Sequence, residues 1–545
     1  MNSIIVSKGA RRLQKPIVEP IILIYQFFIH SNFARNKEIQ FCLRKNVENP
    51  LISKVVLLNE KIYTDAELGT ASNKIIQVIR PNRLVMSQVF DYIDEINFKG
   101  YFITCNADIF FDEHLKNIYY TNLSLSKSVL LQLRYEYKRG MPLHKCKLFG
   151  PRCDSQDSWI FHTNFNLTKK ERKLLNISYG IGGCDNKFAY LFYLFGYEII
   201  NDPYFIRSYH YHTTQIRNYI GKPLVPSPYL WVIPNLNDNS FLQPRSIGKA
   251  TPINWWLGAV KTTMQYYTNN GTNLTVNDSN ILVNNIIQCD KNHGIMQIPR
   301  VNRYLTLLFF NYLMKVSGKD NGGADKKINE VIIMLNKDGF VINNNDDLLN
   351  YVNIVHRIYS KSPISLHSAP VRMCWRREPN ENKAIMDIAR NNGKLALAQN
   401  VLVPIKNFWI EHIKNKRILI ISNKHADIKN QVDNKDEIYN RSIFPDCTFK
   451  FLDTPSGDTS FKQTMNRYIH EMLDSVITDI DIVLVGETPF GICLVDYLQH
   501  KGKYVIEVGD WLALYFGIYT PLTLKQYNDV IRFYLNSFWK LVKII

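Results

Sequence analysis

Apolar and polar positions alternate along the chain in two blocks that read as layered strands and helices. In the first block, apolar runs at Ile21 to Phe27, Val55 to Leu58, Ile75 to Ile79 and Tyr101 to Thr104 are too short for exposed helices and predict strands. Asn36 to Lys45 reads as a helix ended by Asn49-Pro50. Leu84 to Asn97 puts Val85, Val89, Ile93 and Ile96 on one helical face, and Gly100 closes the connection into the next strand. The resulting order of strand, helix, strand, strand, helix, strand predicts an α/β layer. Val129 to Tyr135 and the aromatic run Trp159-Ile160-Phe161 extend it, and Phe188, Ala189, Phe192 and Phe195 mark a helix that stops at Gly196.

Pro223, Pro226, Pro228 and Pro234 read as a linker. Beyond them, Ile253 to Leu257 and Tyr304 to Leu313 look like core, Tyr266 to Asn285 like loop, and Lys319 to Lys327 like a joint. The second block then repeats the α/β pattern. Arg417 to Ser422 and Thr448 to Leu452 predict strands. Ser460 to Ile477 predicts an amphipathic helix with Phe461, Met465, Tyr468, Ile469, Met472, Leu473 and Val476 on one face. Ile482 to Val485, the turn Gly486 to Gly491, Ile492 to His500 and Tyr504 to Val508 form a parallel strand-helix-strand unit. Ile492-Cys493 stands where a phosphate-binding loop needs Lys-Ser or Lys-Thr, which excludes that motif but leaves anion binding at the helix start open. Val530 to Ile545 mixes Phe, Tyr, Trp and Lys and predicts a docking helix, with a peripheral membrane contact as the alternative.

A length of 545 residues predicts two to four domains, and 46% hydrophobic residues exclude wholesale disorder. The net charge of +18 is scattered and forms no long basic run. It favours phosphate-bearing small molecules, anionic surfaces or acidic partners over a specific nucleic acid. Nine cysteines without a Cys-x-x-Cys pair predict reduced core thiols and a cytoplasmic setting. The run after Lys8, Arg11, Arg12 and Lys15 is too short for a signal peptide, and no segment approaches the roughly 20 apolar residues that span a bilayer.

The chemistry gathers where the Tyr101 strand stops at Asn106, Asp108 and Asp112, the edge at which open α/β sheets hold ligands. Asp108 is a candidate ligand for a hard divalent cation that neutralises a departing diphosphate. The competing reading has Asp108 making a local turn and Asp112 capping Glu113 to Ile118. Asp157 precedes the aromatic strand. Asp185 follows the glycine-rich stretch Tyr179 to Cys184, either as a helix N-cap or as a carboxylate that orients or deprotonates an acceptor hydroxyl. His210 and His212 point the same way in extended backbone, so an imidazole there can complete a cation site with Asp108.

Together, Asn106-Ala107-Asp108, Ser155-Gln156-Asp157, Gly183-Cys184-Asp185-Asn186, Gly196-Tyr197-Glu198, and His210-Tyr211-His212 with Arg217-Asn218-Tyr219 resemble a family of glycosyltransferases with the GT-A fold, over about residues 18–222. Asn106 stands at the first acidic position of that family's Asp-x-Asp motif. The resemblance implies Asp108 as metal ligand, Asn106 as a ribose or metal contact, Asp157 and Asp185 as acceptor-side catalytic candidates, and His210 or His212 as a late metal ligand. Residues 330–520 resemble the C-terminal part of GT-D-type domains through Gly502 to Gly509 and Phe516-Gly517-Ile518. Asp338-Gly339-Phe340 lacks the Glu of that family's acidic motif, and Glu487 and Asp510 are candidate substitutes.

The expectation is thus an α/β protein with two Rossmann-like domains. It has a basic extension over 1–17, a GT-A-like domain over 18–222, a linker or start of the second domain over 223–329, a GT-D-like domain over 330–522 and a C-terminal helix over 523–545. The expected activity is transfer of a sugar from a nucleotide-sugar donor to a glycan or protein acceptor with Mn²⁺ or Mg²⁺. The alternative is a non-catalytic carbohydrate-binding or scaffold protein that keeps degenerate glycosyltransferase folds. Tandem modules of this kind resemble giant-virus proteins, for which the location would be the host cytoplasm or the virion.

Overall fold

The computed structural model describes residues 3–235, 323–361, 366–368, 395–397, 410 and 413–542, apart from 8, 11, 150–153, 215, 217–223, 227–228, 338, 487 and 510. Arg217 to Tyr219, Asp338, Glu487, Asp510 and the runs predicted between 236 and 322 lie outside these residues. The chain forms two units, Met1–Leu257 and Gly258–Ile545, both α/β with parallel-rich sheets.

In the first unit the strands are β1 (Ser3–Val6), β2 (Ile21–Tyr25), β3 (Ile52–Asn59), β4 (Ile75–Ile79), β5 (Tyr101–Cys105), β6 (Ile109–Phe111), β7 (Ser128–Gln132), β8 (Tyr135–Glu136), β9 (Lys147–Leu148), β10 (Ser158–His162), β11 (Glu198–Ile200), β12 (Ser208–His210) and β13 (Leu230–Ile233). The main sheet runs β11-β7-β10-β5-β2-β3-β4, and a smaller one runs β6-β12-β8-β9. In the main sheet β10 lies antiparallel to β5 and β7, and the other pairs are parallel.

Helix α1 (Phe33–Glu48) begins at Asn32, whose side chain accepts from Arg35 N, and it packs on β6 through a polar clamp. Asn46 Nδ2 donates to Ile109 O at 2.8 Å and Asn46 Oδ1 accepts from Phe111 N at 3.2 Å. At its other end, the Arg35–Asp108 ion pair places the first turn of α1 beside the β5–β6 turn. A short helix, α2 (Asp65–Leu68), follows β3. Helix α3 (Met86–Glu95) buries Met86, Val89, Phe90 and Ile93, while Ile96, expected on the inner face, lies beyond its end and is exposed. Helices α4 (Lys169–Leu174) and α5 (Cys184–Leu194) complete the layers.

Two differences from the pattern-based reading have local causes. The stretch Val129 to Tyr135 is two strands in two sheets, because Leu133 N turns to Asn201 Oδ1 (3.0 Å) and β8 leaves to join β12. Residues read as extension and linker pair with each other, β1 lying parallel to β13. Asn201 N donates to Ser7 Oγ at 2.6 Å, Ala10 N to Asp202 Oδ2 at 3.0 Å, and Asn235 N to Asn201 O at 2.7 Å, which ties both ends into the first unit.

The second unit contains helices α6 (Ala324–Lys337) and α7 (Asn345–Lys361), a parallel pair β14 (Leu366–Ser368) and β15 (Leu395–Leu397), and a sheet of β16 (Arg417–Ile421), β17 (Thr448–Leu452), β18 (Ile482–Gly486) and β19 (Tyr504–Gly509). That sheet is wholly parallel in the order β17-β16-β18-β19. Helix α8 (His425–Gln431) follows β16. The predicted helix over 460–477 is α9 (Phe461–Tyr468), a π turn over Ile469–Leu473, and α10 (Asp474–Ile477). The wider turn shifts the helical phase, so Leu473 and Ile477 are buried and Met472 is 39% exposed. Helix α11 (Gly491–His500) connects β18 to β19. The C-terminal stretch is not one helix. Asn528–Tyr534 is helical and Lys540–Leu541 pairs with Ile518–Tyr519, while Trp539 Nε1 donates to Ile438 O at 2.8 Å. Its aromatic residues Tyr534 and Trp539 are buried in the unit's own core. Among the described residues no helix is long and apolar enough to cross a membrane, and Cys42, Cys105, Cys146, Cys184, Cys447 and Cys493 are free thiols.

Candidate functional site

Strand β5 delivers Asn106 and Asp108 to the edge of the main sheet, and the chain reverses there through Ile109 N to Asn106 O at 3.2 Å. Strand β12 then pairs with β6, His210 opposite Ile109, and Tyr211 N bonds to Asp108 O at 2.9 Å. This register places His210 and His212 over Asp108. His210 Nε2 lies 3.2 Å and His212 Nδ1 3.6 Å from Asp108 Oδ2. The three residues are buried, and ligand atoms from each lie within 4.8 Å of one another, a spacing that can hold a metal ion. One carboxylate and two imidazoles can bind a first-row divalent cation, Mn²⁺ included, whereas Mg²⁺ prefers oxygen and water.

Two residues that pattern reading missed complete this end of the site. Arg35, in the first turn of α1, puts Nη2 on Asp108 Oδ2 at 2.5 Å and Nη1 on Glu38 Oε2 at 3.0 Å. Glu38 also accepts from Thr213 N at 2.7 Å, Thr213 Oγ1 at 2.6 Å and Thr214 N at 2.9 Å, which latches the segment after β12 to α1. Burial opposes ionisation of Asp108, but His210 and Arg35 outweigh it and hold its pKa well below the usual carboxylate range. Burial likewise disfavours the His210 imidazolium; the Asp108 carboxylate and hydrogen bonds to Asp108 and Glu136 nonetheless raise its pKa. Burial and then Arg35 push His212 down to about 4, so it is neutral at pH 7.

A polar chain leads from His210 to the other candidates. His210 Nδ1 lies 3.4 Å from Glu136, whose Oε1 accepts from Arg134 Nε at 2.9 Å. Arg134 Nη1 donates to Ser155 Oγ at 2.9 Å and ion-pairs with Asp157, and its guanidinium stacks over Phe149 at 4.0 Å. Asp157 Oδ1 also accepts from Asn106 Nδ2 at 2.9 Å. Asn106 therefore faces Asp157 and not the Asp108 cluster, and both Asp157 oxygens carry a donor.

Asp185 sits apart from this ion pairing. The N-cap of α5 is Gly183, with φ +85, and Asp185 lies two positions further on in the first turn, which corrects the N-cap reading of Asp185. A Cβ at residue 183 would fall 2.9 Å from Tyr229 Oη, a second reason for glycine there. Asp185 Oδ2 accepts from Gln156 N at 3.4 Å and Oδ1 from Asn186 Nδ2 at 3.2 Å. Burial, then the charges of Asp157 and Asp154, push its pKa up to about 7. Asp112 behaves as the competing reading predicts, as the cap of the Glu113–Tyr120 turn accepting from His114 N, and it also accepts from Tyr209 Oη at 2.8 Å.

No protein-family model and no curated protein matches the chain. Among solved structures, it is similar to mannosyltransferase PcManGT from Pyrobaculum calidifontis in complex with GDP-Man and Mn²⁺, at 10% identity and a TM-score of 0.27, over 52% of this chain and 83% of that one.

Proposed function

We propose that the first unit transfers a sugar from a nucleotide-diphosphate donor to a hydroxyl acceptor. The observation that carries this reading is the convergence of Asp108, His210 and His212, from strand ends about a hundred residues apart, at the ligand edge of an α/β sheet. Mn²⁺ held by these three residues would supply positive charge to the departing diphosphate. In the transfer, the bond from the sugar's anomeric carbon to the diphosphate oxygen breaks, its electron pair leaves with the nucleotide, and the acceptor oxygen bonds the anomeric carbon. For an inverting reaction Asp185 takes the acceptor's proton, because its pKa of about 7 matches a base working near neutrality. Asp157 suits a different task. With Arg134 on one oxygen and Asn106 on the other, it orients the loop that carries Asp185's partner, Gln156.

Within this reading, residues 18–222, with the β1–β13 pair joined to them, are the GT-A-like domain and 330–522 a GT-D-like domain. Calorimetry of UDP and GDP binding with and without Mn²⁺ tests it. Mn²⁺-dependent binding that disappears in His210→Ala is expected. Equal binding in EDTA would instead favour the scaffold reading, to which the ion pair between Arg35 and Asp108 lends support.

A further inference from the structure

We propose that Arg35 is the exchangeable cation of this site. It occupies Asp108 while no metal is bound, and it passes to the donor's diphosphate when a divalent cation takes the carboxylate. This inference rests on the metal-assisted reading above. Arg35 Nη2 lies on Asp108 Oδ2, the same oxygen that faces both imidazoles, so a cation entering among Asp108, His210 and His212 meets a guanidinium already in place. Two like charges cannot share that oxygen closely in a buried site.

The arrangement provides for Arg35 to move without being stranded. Its Nη1 is held by Glu38 and by Tyr211 O, and Glu38 is itself fixed by Thr213 and Thr214, so the guanidinium keeps a carboxylate partner when Nη2 leaves Asp108. Arg35 also sits in the first turn of α1, a 16-residue helix whose N-terminus opens on the same edge as Asp108. A diphosphate arriving there offers two oxygens to the planar, bidentate fork of the guanidinium, against the single carboxylate oxygen it holds on Asp108. Exchange of this kind couples metal and donor. The metal frees Arg35, and the donor keeps it from returning.

The test is Mn²⁺ affinity by electron paramagnetic resonance on the full chain without nucleotide, in the wild type, Arg35→Gln, Arg35→Met and Asp108→Ala. With the competing charge removed, the two neutral Arg35 variants are expected to bind Mn²⁺ at least about tenfold more tightly than the wild type, whereas damage to the fold would weaken binding. Two variants are used because either could fail to fold, and the Thr213 and Thr214 donors that anchor Glu38 remain in both. Adding UDP or GDP should tighten Mn²⁺ binding more in the wild type than in the variants. Equal Mn²⁺ affinity in wild type and variants, with loss in Asp108→Ala, would overturn the exchange role and leave the metal centre standing. Absence of Mn²⁺ binding from every protein would overturn the metal centre and this inference with it.

Discussion

Replacing Glu507 by Gln separates a buried ionisation from the packing around it. The Glu507 side chain, on β19, is wholly buried against the start of α11, and among the described residues neither of its oxygens has a hydrogen-bond partner. Gly491 makes room for it, since a Cβ there would collide with Glu507 Oε1. Burial alone drives the pKa of this carboxyl well above its ordinary value of 4.5. As pH rises past that ordinary value the unfolded chain releases the proton and the folded chain keeps it. The folded state then binds more protons, so stability falls by about 1.4 kcal/mol per pH unit until the folded carboxyl also ionises. Each pH unit over which only the unfolded chain has ionised is a sizeable fraction of a domain's stability. Glu507→Gln fills the same space and cannot ionise, so its stability should lack this slope. Urea unfolding read by labelling of the buried Cys493 thiol on α11 reports on this unit alone, and comparing the two proteins at each pH cancels the chemistry of the label. Equal pH slopes in both proteins would refute the assignment of a protonated buried carboxyl.

Asp185→Asn should lower kcat/KM for transfer by about 10² to 10⁴, and the wild-type profile should climb about tenfold per pH unit up to about 7 before levelling. A wild-type profile flat from pH 5.5 to 8 would remove Asp185 as the base. Gly100→Ala forces a side chain onto a backbone at φ +132 with its Cβ 2.5 Å from Pro20 O, and should cost the first unit about 2 kcal/mol or more. An unchanged melting temperature would contradict that geometry.

The strand Tyr101–Cys105 and its polar end were legible because a short apolar run bounded by Gly100 and Asn106 fits little else. The parallel connection from β18 through α11 to β19 was legible for the same reason, with short runs and turn residues in phase. His210 and His212 could be placed on one side of extended backbone, but their meeting with Asp108 depends on the pairing of β12 with β6, which no local pattern encodes. Arg35, Glu38, Arg134 and Glu136 escaped notice because a charged residue on a helix or at a strand end reads as solvated. Their partners lie 73 residues away for Arg35 and 23 for Arg134. The i, i+3 spacing of Arg35 and Glu38 was the one available signal. The π turn was hidden for a related reason, since a regular helical phase extrapolates through Ile469–Leu473 and a one-residue shift leaves no composition mark.

The central claim is that Asp108 anchors a cation used in sugar transfer, and nucleotide release measures it most directly. The full chain would be incubated with a panel of UDP-, GDP- and TDP-sugars and Mn²⁺, beside Asp108→Ala. The account predicts release of one nucleotide from the wild type and its loss in the variant. Release that persists undiminished in Asp108→Ala would contradict it.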